Sequence, residues 1–282
     1  MTQSAPVTAA AARMLSDEEP SRPARILDLT VFVPCFNEAE AIERTLDTIR
    51  KALRKFPLTY EVLVVDDGSS DRTREIVASY IERHELHGKV ILIKNERNRG
   101  IGINYFTTAE RARGSYYLTL FGDNSEPTSA IRSIVNLLGK ADMIIPNFNT
   151  KLFSRRYNRD TRRFPRRLTS IVFNRFLVRV LSGCAVHYYN GPVLHRTDNV
   201  LKYRVPASGL SFQAEMLCKM LADHLTYLEV TITNNDRQEG STTAFRPKNI
   251  ASVAASLVRI TRNRLANRQA GLRHDPPETD DE

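Results

Sequence analysis

Strand-like and helix-like segments alternate from about residue 26 to residue 145, and this alternation constrains the fold more than any other feature. Short apolar, β-rich runs are followed by runs in which apolar residues recur at helical spacing. The pattern predicts five strands, at residues 26–33, 61–65, 90–93, 116–121 and 141–145. Such alternation is typical of an α/β fold with a mostly parallel sheet and helices on both faces.

Polar and acidic residues follow three of the predicted strands. Asn37 and Glu38 follow the first strand, Asp66 and Asp67 the second, and Asp123 the fourth. Open α/β sheets bind ligands beyond the carboxyl ends of their strands, and an unpaired buried carboxylate is costly. We therefore expect these side chains to lie along one edge of the sheet and to contact a ligand. For the Asp-Gly dipeptide alone, a turn without a ligand is the alternative.

Helix-capping residues and glycines are predicted next to these strand ends. Asn37 is expected to cap the first helix, and Ser70 or Asp71 the second. The segment 98–102, Asn-Arg-Gly-Ile-Gly, opens a third helix that should extend to about residue 113. Its two glycines permit a close approach of the backbone to a ligand.

The positive charge is concentrated in one part of the chain. The 282 residues carry a net charge of +9, and residues 151–180 contain ten basic residues and one acid. Such a field suits phosphate-rich partners: a nucleotide, an anionic lipid or a nucleic acid. No apolar run approaches the roughly 18 residues of a transmembrane helix, and no secretory signal is recognisable. Three scattered cysteines fit a reducing compartment better than a disulfide framework or a zinc site.

Three motifs resemble those of family 2 glycosyltransferases of the GT-A fold, a Rossmann-like α/β fold. The nearest branch contains dolichol-phosphate mannose synthase and bacterial polyprenyl-phosphate glycosyltransferases. Residues 34–38, Pro-Cys-Phe-Asn-Glu, resemble the first-strand signature Pro-x-Tyr-Asn-Glu. Residues 65–69, Val-Asp-Asp-Gly-Ser, resemble the nucleotide-binding turn, and residues 98–100 resemble the Asn-x-Gly segment. The resemblance extends from about Thr30 to Thr243.

The resemblance implies roles for the residues of the first half. The nucleotide-sugar would contact Pro34, Phe36, Glu38, Asp66 and Asp67. Asp123, with Ser125 or Glu126 beside it, would hold Mg²⁺ or Mn²⁺, since these ions prefer oxygen ligands. Phe121 stands where the family has the first acid of its Asp-x-Asp metal motif, so one expected carboxylate is missing.

In the second half, the resemblance implies residues that bind the acceptor and the phosphates. Arg166 and Ser170 match an Arg-x-x-x-Ser pattern of the acceptor loop, and Arg237 lies in a segment expected near the diphosphate. Asp123, Arg166 and Arg237 would therefore be the catalytic residues. Glu215, at the start of a predicted helix, could act as a base or could be a structural carboxylate.

These observations predict the organisation of the chain. We expect a disordered leader at residues 1–24, a glycosyltransferase domain at 25–246, an amphipathic helix at 247–268 and a disordered acidic tail at 269–282. The domain would divide into a nucleotide-binding half, 25–146, and an acceptor half, 147–246. The amphipathic helix could lie on a membrane surface or dock onto the domain.

The predicted function is inverting transfer of a sugar from a UDP- or GDP-sugar to a polyprenyl or dolichyl phosphate, as part of cell-envelope biosynthesis. The alternative is transfer to a saccharide or small-molecule hydroxyl, which would need a base near neutrality. A more distant alternative is a non-catalytic basic binding protein. The leading hypothesis places the chain in the cytoplasm, at the inner face of a membrane, with a membrane protein as an optional partner and no nucleic acid.

Overall fold

A seven-stranded sheet forms the centre of the computed structural model, which describes residues 24–147, 172, 178–184, 186–206, 211–233 and 247–269. The strands are β1 (Leu27–Cys35), β2 (Tyr60–Asp66), β3 (Val90–Lys94), β4 (Gly114–Thr119), β5 (Met143–Asn147), β6 (Leu194–Arg196) and β7 (Tyr227–Thr231). Their order is β3-β2-β1-β4-β6-β5-β7. Strand β6 is antiparallel to β4 and β5, and the other pairs are parallel.

Helices cover both faces of this sheet. They are α1 (Ile42–Leu53), α2 (Thr73–Arg83), α3 (Ile101–Arg111), α4 (Thr128–Val135), α5 (Arg179–Ser182), α6 (Thr197–Lys202), α7 (Phe212–Ala222) and α8 (Pro247–Gln269). Apolar residues of α1, α2 and α4 pack on one face, and those of α3, α6 and α7 on the other. The prediction of a mostly parallel α/β sheet with helices on both faces is confirmed.

Alternation along the central strands explains why both faces are buried. Val31 and Val33 of β1 belong to the core beneath α1, whereas Phe32 belongs to the core beneath α3. Phe32 stacks on Tyr117 of β4 with ring centroids 5.8 Å apart, and Tyr105 of α3 meets both rings edge-on. Strands buried on both faces are mostly apolar along their length, and the polar residues of the predicted site lie at or just beyond the carboxyl ends of β1, β2 and β4.

The predicted helix caps were wrong: α1 begins after Ala41 and α2 after Arg72, and neither N-cap residue forms a side-chain capping bond. Asn37 does not cap α1, which begins five residues later, at Ile42, without a side-chain cap. Asn37 instead adopts a left-handed conformation with φ 57° and accepts a hydrogen bond from the backbone of Ser70. Strand β6 was not predicted, because three residues are too few to show an alternating pattern. The two predicted disordered ends lie outside the described residues, save for residues 24 and 269.

Helix α8 was predicted at residues 247–268 and is found at 247–269. It docks on the domain: Ser256 and Ile260 are buried, and Ile260 belongs to the core that includes α7. Among the helices that the structure describes, none is long and apolar enough to cross a membrane. The division of the domain at residues 146 and 147 stays a prediction.

Candidate active site

The carboxyl ends of β1, β2 and β4 meet at one edge of the sheet. The backbone N–H of Asp67 donates to the carbonyl oxygen of Cys35 at 2.8 Å. On the other side of β1, the N–H of Gly122 donates to the carbonyl oxygen of Pro34 at 3.3 Å. The three polar motifs predicted at strand ends are therefore neighbours in space.

The segments after β1 and β2 are held together by side chains. Asn37 N–H donates to Ser69 Oγ at 3.0 Å, and Ser70 N–H donates to Asn37 Oδ1 at 2.9 Å. Glu38 N–H donates to Thr73 Oγ1 at 2.9 Å. These bonds fix the backbone directly after Phe36, and the bonds to the carbonyl oxygens of Pro34 and Cys35 fix the backbone before it. A half-exposed aromatic side chain can therefore hold a defined position.

Phe36 and Glu38, two of the predicted nucleotide contacts, have exposed surface at this edge. Phe36 is 47% exposed and Glu38 is partly exposed. A Cβ on Gly122 would lie 2.8 Å from Cys35 Sγ and 3.5 Å from Glu38 Cγ, so the loop after β4 packs directly against the loop after β1. Pro34, also predicted to contact the nucleotide, supports this packing through its carbonyl oxygen.

Asp66, also predicted to contact the nucleotide, has internal partners in the structure. Its side chain has no exposed surface and forms an ion pair with Arg74 of α2, with Nη2 2.7 Å and Nε 2.8 Å from Oδ2. Its other carboxylate oxygen accepts a hydrogen bond from Ser69 N–H at 3.3 Å. These bonds let Asp66 position the turn that carries Asp67, and its contact with the nucleotide stays a prediction.

Asp67 joins two motifs that are 32 residues apart in the sequence. Its Oδ1 accepts hydrogen bonds from Arg99 N–H and Asn95 Nδ2 at 2.9 and 2.8 Å, and its Oδ2 accepts one from Gly100 N–H at 2.9 Å. The side chain is 5% exposed, so most of its capacity is used within the protein. Asn95 was not predicted, although it follows β3 directly and the strand-end argument would have included it.

Gly68 allows these two turns to approach. It has φ +74°, and a Cβ there would lie 2.8 Å from the backbone carbon of Arg97. A side chain at this position would be strained and would also push the 97–100 segment away. The Asp-Gly dipeptide is therefore required by the contact between the two turns as well as by its own dihedral angles.

The loop after β4 contains the candidate metal-binding carboxylate. Asp123 is partly exposed, and its Oδ1 accepts a hydrogen bond from Ser125 N–H at 3.2 Å. Glu126 is largely buried and accepts from Phe121 N–H at 3.1 Å and from the Ser125 hydroxyl at 2.9 Å. Burial, with the nearby Asp123 as a smaller contribution, raises the pKa of Glu126 to about 8. The carboxyl group of Glu126 thus stabilises the conformation of this loop.

This donor set fits a divalent ion only in part. Within the described ranges, no group of three His, Cys, Asp or Glu side chains is arranged to hold a metal ion. Mg²⁺ is commonly bound by one or two carboxylates together with substrate phosphates. Asp123, partly exposed at the sheet edge, fits a site in which it supplies a single protein carboxylate. Ser125, the other predicted ligand, has its hydroxyl bonded to Glu126.

In the second half of the chain, the turn at 190–192 and helix α7 are joined by hydrogen bonds. Gly191 N–H donates to Gln213 Oε1, and Gln213 Nε2 donates back to the carbonyl oxygen of Gly191, both at 3.1 Å. The turn at 190–192 is thereby fixed to the first turn of α7. Arg166, Ser170 and Arg237, predicted to bind the acceptor and the phosphates, lie outside the described residues.

The prediction of Glu215 as a base is not supported by its environment. The Glu215 side chain is 1% exposed, and Arg259 Nε lies 3.0 and 2.9 Å from its two oxygens. Arg259 also donates to Ser256 Oγ at 3.0 Å. A base must reach the proton that it abstracts, whereas this carboxylate is enclosed between α7 and α8. These contacts favour the structural alternative for Glu215, and its role as a base stays a prediction.

A family comparison identifies the chain's relatives. The profile described as "Glycosyl transferase family 2" matches residues 30–192, more than half of the chain. The match begins in β1 and includes the three motifs at the sheet edge. It therefore covers the part of the protein where the candidate site lies.

Two curated proteins illustrate the sequence similarity. Dodecaprenyl-phosphate galacturonate synthase of Rhizobium johnstonii is 28% identical over 167 residues, which span 59% of this chain and 47% of that protein. Undecaprenyl-phosphate 4-deoxy-4-formamido-L-arabinose transferase of Pseudomonas paraeruginosa is 23% identical over 243 residues, 86% of this chain and 68% of that protein. The chain thus spans about half the length of the first relative.

A solved structure shows the same fold. Glucosyl-3-phosphoglycerate synthase from Mycobacterium tuberculosis, in complex with Mn²⁺, UDP and glucosyl-3-phosphoglycerate, matches with a TM-score of 0.55 and 16% sequence identity. The match covers 89% of this chain and 82% of the other. At this identity the likeness establishes the GT-A fold alone.

Proposed function

This chain belongs to glycosyl transferase family 2, and we propose that it transfers a sugar from a nucleotide-sugar to the phosphate of a polyprenyl or dolichyl phosphate. That the protein is a glycosyltransferase follows from its family and its relatives. The donor and the acceptor are the proposal. Two curated relatives carry a polyprenyl-phosphate acceptor in their names, which supports this choice.

The environment of Glu215 carries the proposal. A hydroxyl acceptor must lose a proton as it attacks, and catalysis at neutral pH then requires a base within reach. The residue predicted for that task is buried and paired with Arg259. A phosphate monoester has its second pKa near 6, so its oxygen is already anionic at neutral pH. A lipid-phosphate acceptor therefore needs no base from the protein.

The bond changes are simple. An acceptor phosphate oxygen forms a bond to the anomeric carbon while the bond from that carbon to the nucleoside diphosphate breaks, with inversion. No proton is transferred, so atoms and charges balance between the two phosphates. The protein's task is to align the two phosphates and to offset the charge that develops on the leaving group.

We assign the donor to the edge formed after β1, β2 and β4. Phe36 offers an exposed ring on which a nucleobase can stack, and Glu38 offers a carboxylate for ribose hydroxyls. Asp67 contributes through the Arg99–Gly100 turn, whose two N–H groups it orients. The base can be uracil or guanine on this geometry, and the sugar is open.

The phosphates belong near the loop after β4. A divalent ion held by Asp123 would supply Lewis-acid stabilisation of the leaving diphosphate. Arg166 and Arg237, assigned by family resemblance, would bind phosphate oxygens through their planar guanidinium groups. We place the protein at the cytoplasmic face of a membrane, where a polyprenyl phosphate would be accessible.

The proposal is tested by transfer from a panel of radiolabelled UDP- and GDP-sugars to a short polyprenyl phosphate in detergent, with and without Mg²⁺ or Mn²⁺. We expect an organic-extractable product with one donor, and a loss of about 100-fold or more with Asp123→Ala. Asp198→Ala is the matched control, since this acid is 81% exposed and pairs at the surface with Arg25. Its activity should stay within about twofold of the wild type.

Three results would count against the proposal. If no donor is consumed under any condition, the assigned reaction is wrong. If a nucleotide is released without a lipid product, the acceptor is wrong. If Asp123→Ala transfers at the rate of the control variant, Asp123 is not at the site.

A further inference from the structure

Between residues 253 and 266, the outward side of α8 is mostly apolar, although an ordinary docked helix carries its charges there. Between residues 253 and 266, the exposed residues are Ala254, Ala255, Val258, Arg262, Leu265 and Ala266. At 3.6 residues per turn they occupy an arc of about 120°. We call these six residues the α8 arc. Val258 and Leu265 are 58% and 54% exposed, which is unusual for bulky apolar residues spaced two turns apart.

The orientation of α8 is fixed by polar contacts on its inner side, so the arc is not an accident of a loosely placed helix. Arg259 forms the ion pair with buried Glu215. Arg264 donates to the carbonyl oxygens of Val180 and Leu181 in α5. Turning the arc toward the core would break these contacts and would expose Ile260. Arg259 and Arg264 therefore bond to other parts of the protein, while Val258 and Leu265 face outward.

The charge of α8 indicates what covers the arc. Residues 247–269 contain Lys248, Arg259, Arg262, Arg264 and Arg268 and no acidic residue. Helices with this composition bind the interfacial region of bilayers, where apolar side chains enter the acyl boundary and cations meet anionic headgroups. Positive residues near an anionic bilayer add to the attraction.

A second copy of the chain fits the arc less well. In a two-fold symmetric contact the same patch meets itself, so two α8 helices that are both basic would be brought together. Like charges in contact disfavour association, and α8 has no acidic residue to offset them. The anionic surface of a bilayer offers the opposite charge.

We propose that the α8 arc binds the surface of a bilayer that contains anionic phospholipids, with Val258 and Leu265 entering the acyl boundary and Arg262 contacting headgroup phosphates. This inference rests on the proposed function, because it brings the acceptor half to the surface where a lipid acceptor would lie. Helix α8 packs on α7, and Gln213 of α7 fixes the turn at Gly191. The bound surface is therefore rigidly connected to the acceptor half.

Co-sedimentation of the full chain with vesicles tests the surface. Vesicles of phosphatidylcholine are compared with vesicles that also contain phosphatidylglycerol. We expect the wild type to bind the anionic vesicles. The double variant Val258→Asp/Leu265→Asp should have an affinity lower by about tenfold or more. The matched control is Ile26→Asp/Leu228→Asp, which introduces the same charge at two exposed apolar residues outside α8. The control should bind within about twofold of the wild type after correction for its charge, measured at two salt concentrations.

A second variant keeps the test decisive if the double variant does not fold, as judged by circular dichroism. Arg262→Glu leaves the apolar residues of the arc in place and reverses its one charge. It should weaken binding to anionic vesicles by about tenfold. The proposal is overturned if all variants bind anionic vesicles as tightly as the wild type, or if the wild type does not bind them. A concentration-dependent dimer that Val258→Asp/Leu265→Asp abolishes would assign the arc to self-association instead.

The failure of this inference can be separated from the failure of the proposed function. Sugar transfer to a detergent-solubilised acceptor does not require a bilayer. If the wild type transfers sugar in detergent but does not bind vesicles, the surface is wrong and the reaction stands. If the arc variants keep their activity in detergent and lose it with vesicle-embedded acceptor, both are supported.

Discussion

Replacing Arg259 by methionine is expected to destabilise the protein by about 2–3 kcal/mol, because it leaves a buried carboxylate without its cation. The Glu215 side chain is 1% exposed and Arg259 is 30% exposed, with Nε 2.9 Å from Oε2. Charges about 4 Å apart interact by about 4 kcal/mol at an effective dielectric constant of 20. Water reaches the guanidinium group, so we expect a smaller loss. Methionine keeps the apolar stem and isolates the effect of the charge.

The loss is measured by urea unfolding and by thermal denaturation, where it should lower Tm by about 5–10 °C. A double-mutant cycle with Glu215→Gln then isolates the pair. Removing both charges should restore at least about 1 kcal/mol relative to Arg259→Met alone, because no unpaired carboxylate remains. Arg262→Met is the control, since Arg262 is exposed on the same helix.

The same variants test whether Glu215 has a chemical role. Glu215→Gln should fold and should keep sugar transfer to polyprenyl phosphate within about threefold of the wild type. If the losses of stability from Arg259→Met and Glu215→Gln add to within about 0.5 kcal/mol in the double variant, the ion-pair argument is refuted. A loss of transfer of about 100-fold in a folded Glu215→Gln protein would refute the structural role and restore Glu215 as a base.

Two further predictions concern the turn after β2 and the dependence of stability on pH. Gly68→Ala should destabilise the protein more than Gly88→Ala and should also weaken nucleotide binding. Both glycines have positive φ, but only the Cβ added at Gly68 would contact backbone, 2.8 Å away at Arg97. Denaturation and nucleotide titration of both variants check this, and equal losses would contradict it. The hydrogen bond from the Thr226 hydroxyl lowers the pKa of Asp142. Asp142 therefore adds stability above its unfolded pKa, near 3.9, and this stability is lost as the pH falls through the folded pKa. Asp142→Asn should remove this contribution and flatten the fall in stability between about pH 5 and pH 3. An unchanged slope would contradict the assignment.

The first half of the fold could be predicted because its signals are local. Each strand from β1 to β5 is a short apolar run, and the helices between them, α1 to α4, have their own apolar periodicity. The rule that ligands bind at the carboxyl ends of parallel strands then placed Glu38, Asp67 and Asp123 at one edge. The backbone bonds from Asp67 to Cys35 and from Gly122 to Pro34 confirm that the three motifs are neighbours.

The partners of the buried carboxylates could not be predicted. Asp66 was expected to contact a ligand because a carboxylate cannot be buried alone, but its cation is Arg74 of the next helix. Glu215 is paired with Arg259, which lies 44 residues further along the chain. Sequence patterns show that a buried acid needs a partner and do not show whether the partner is a ligand or another side chain.

The position of β6 between β4 and β5 could not be predicted from the sequence either. A continuous βα alternation would have placed β5 beside β4, whereas β6 lies between them and runs antiparallel to both. Its three residues are an apolar residue, a buried histidine and an exposed arginine, which form no recognisable period. The pairing depends on contacts between distant segments.

The most direct test of the central claim is a comparison of two acceptors that differ only in the phosphate. Polyprenyl phosphate and the free polyprenol of the same chain length are offered to the wild-type protein with the active radiolabelled donor in detergent. The proposed reaction predicts a glycosylated product from the phosphate and none from the alcohol, because only the phosphate reacts without a base and Glu215 is buried in an ion pair with Arg259. Glycosylation of the alcohol at a comparable rate would contradict it and would show that the protein deprotonates a hydroxyl acceptor.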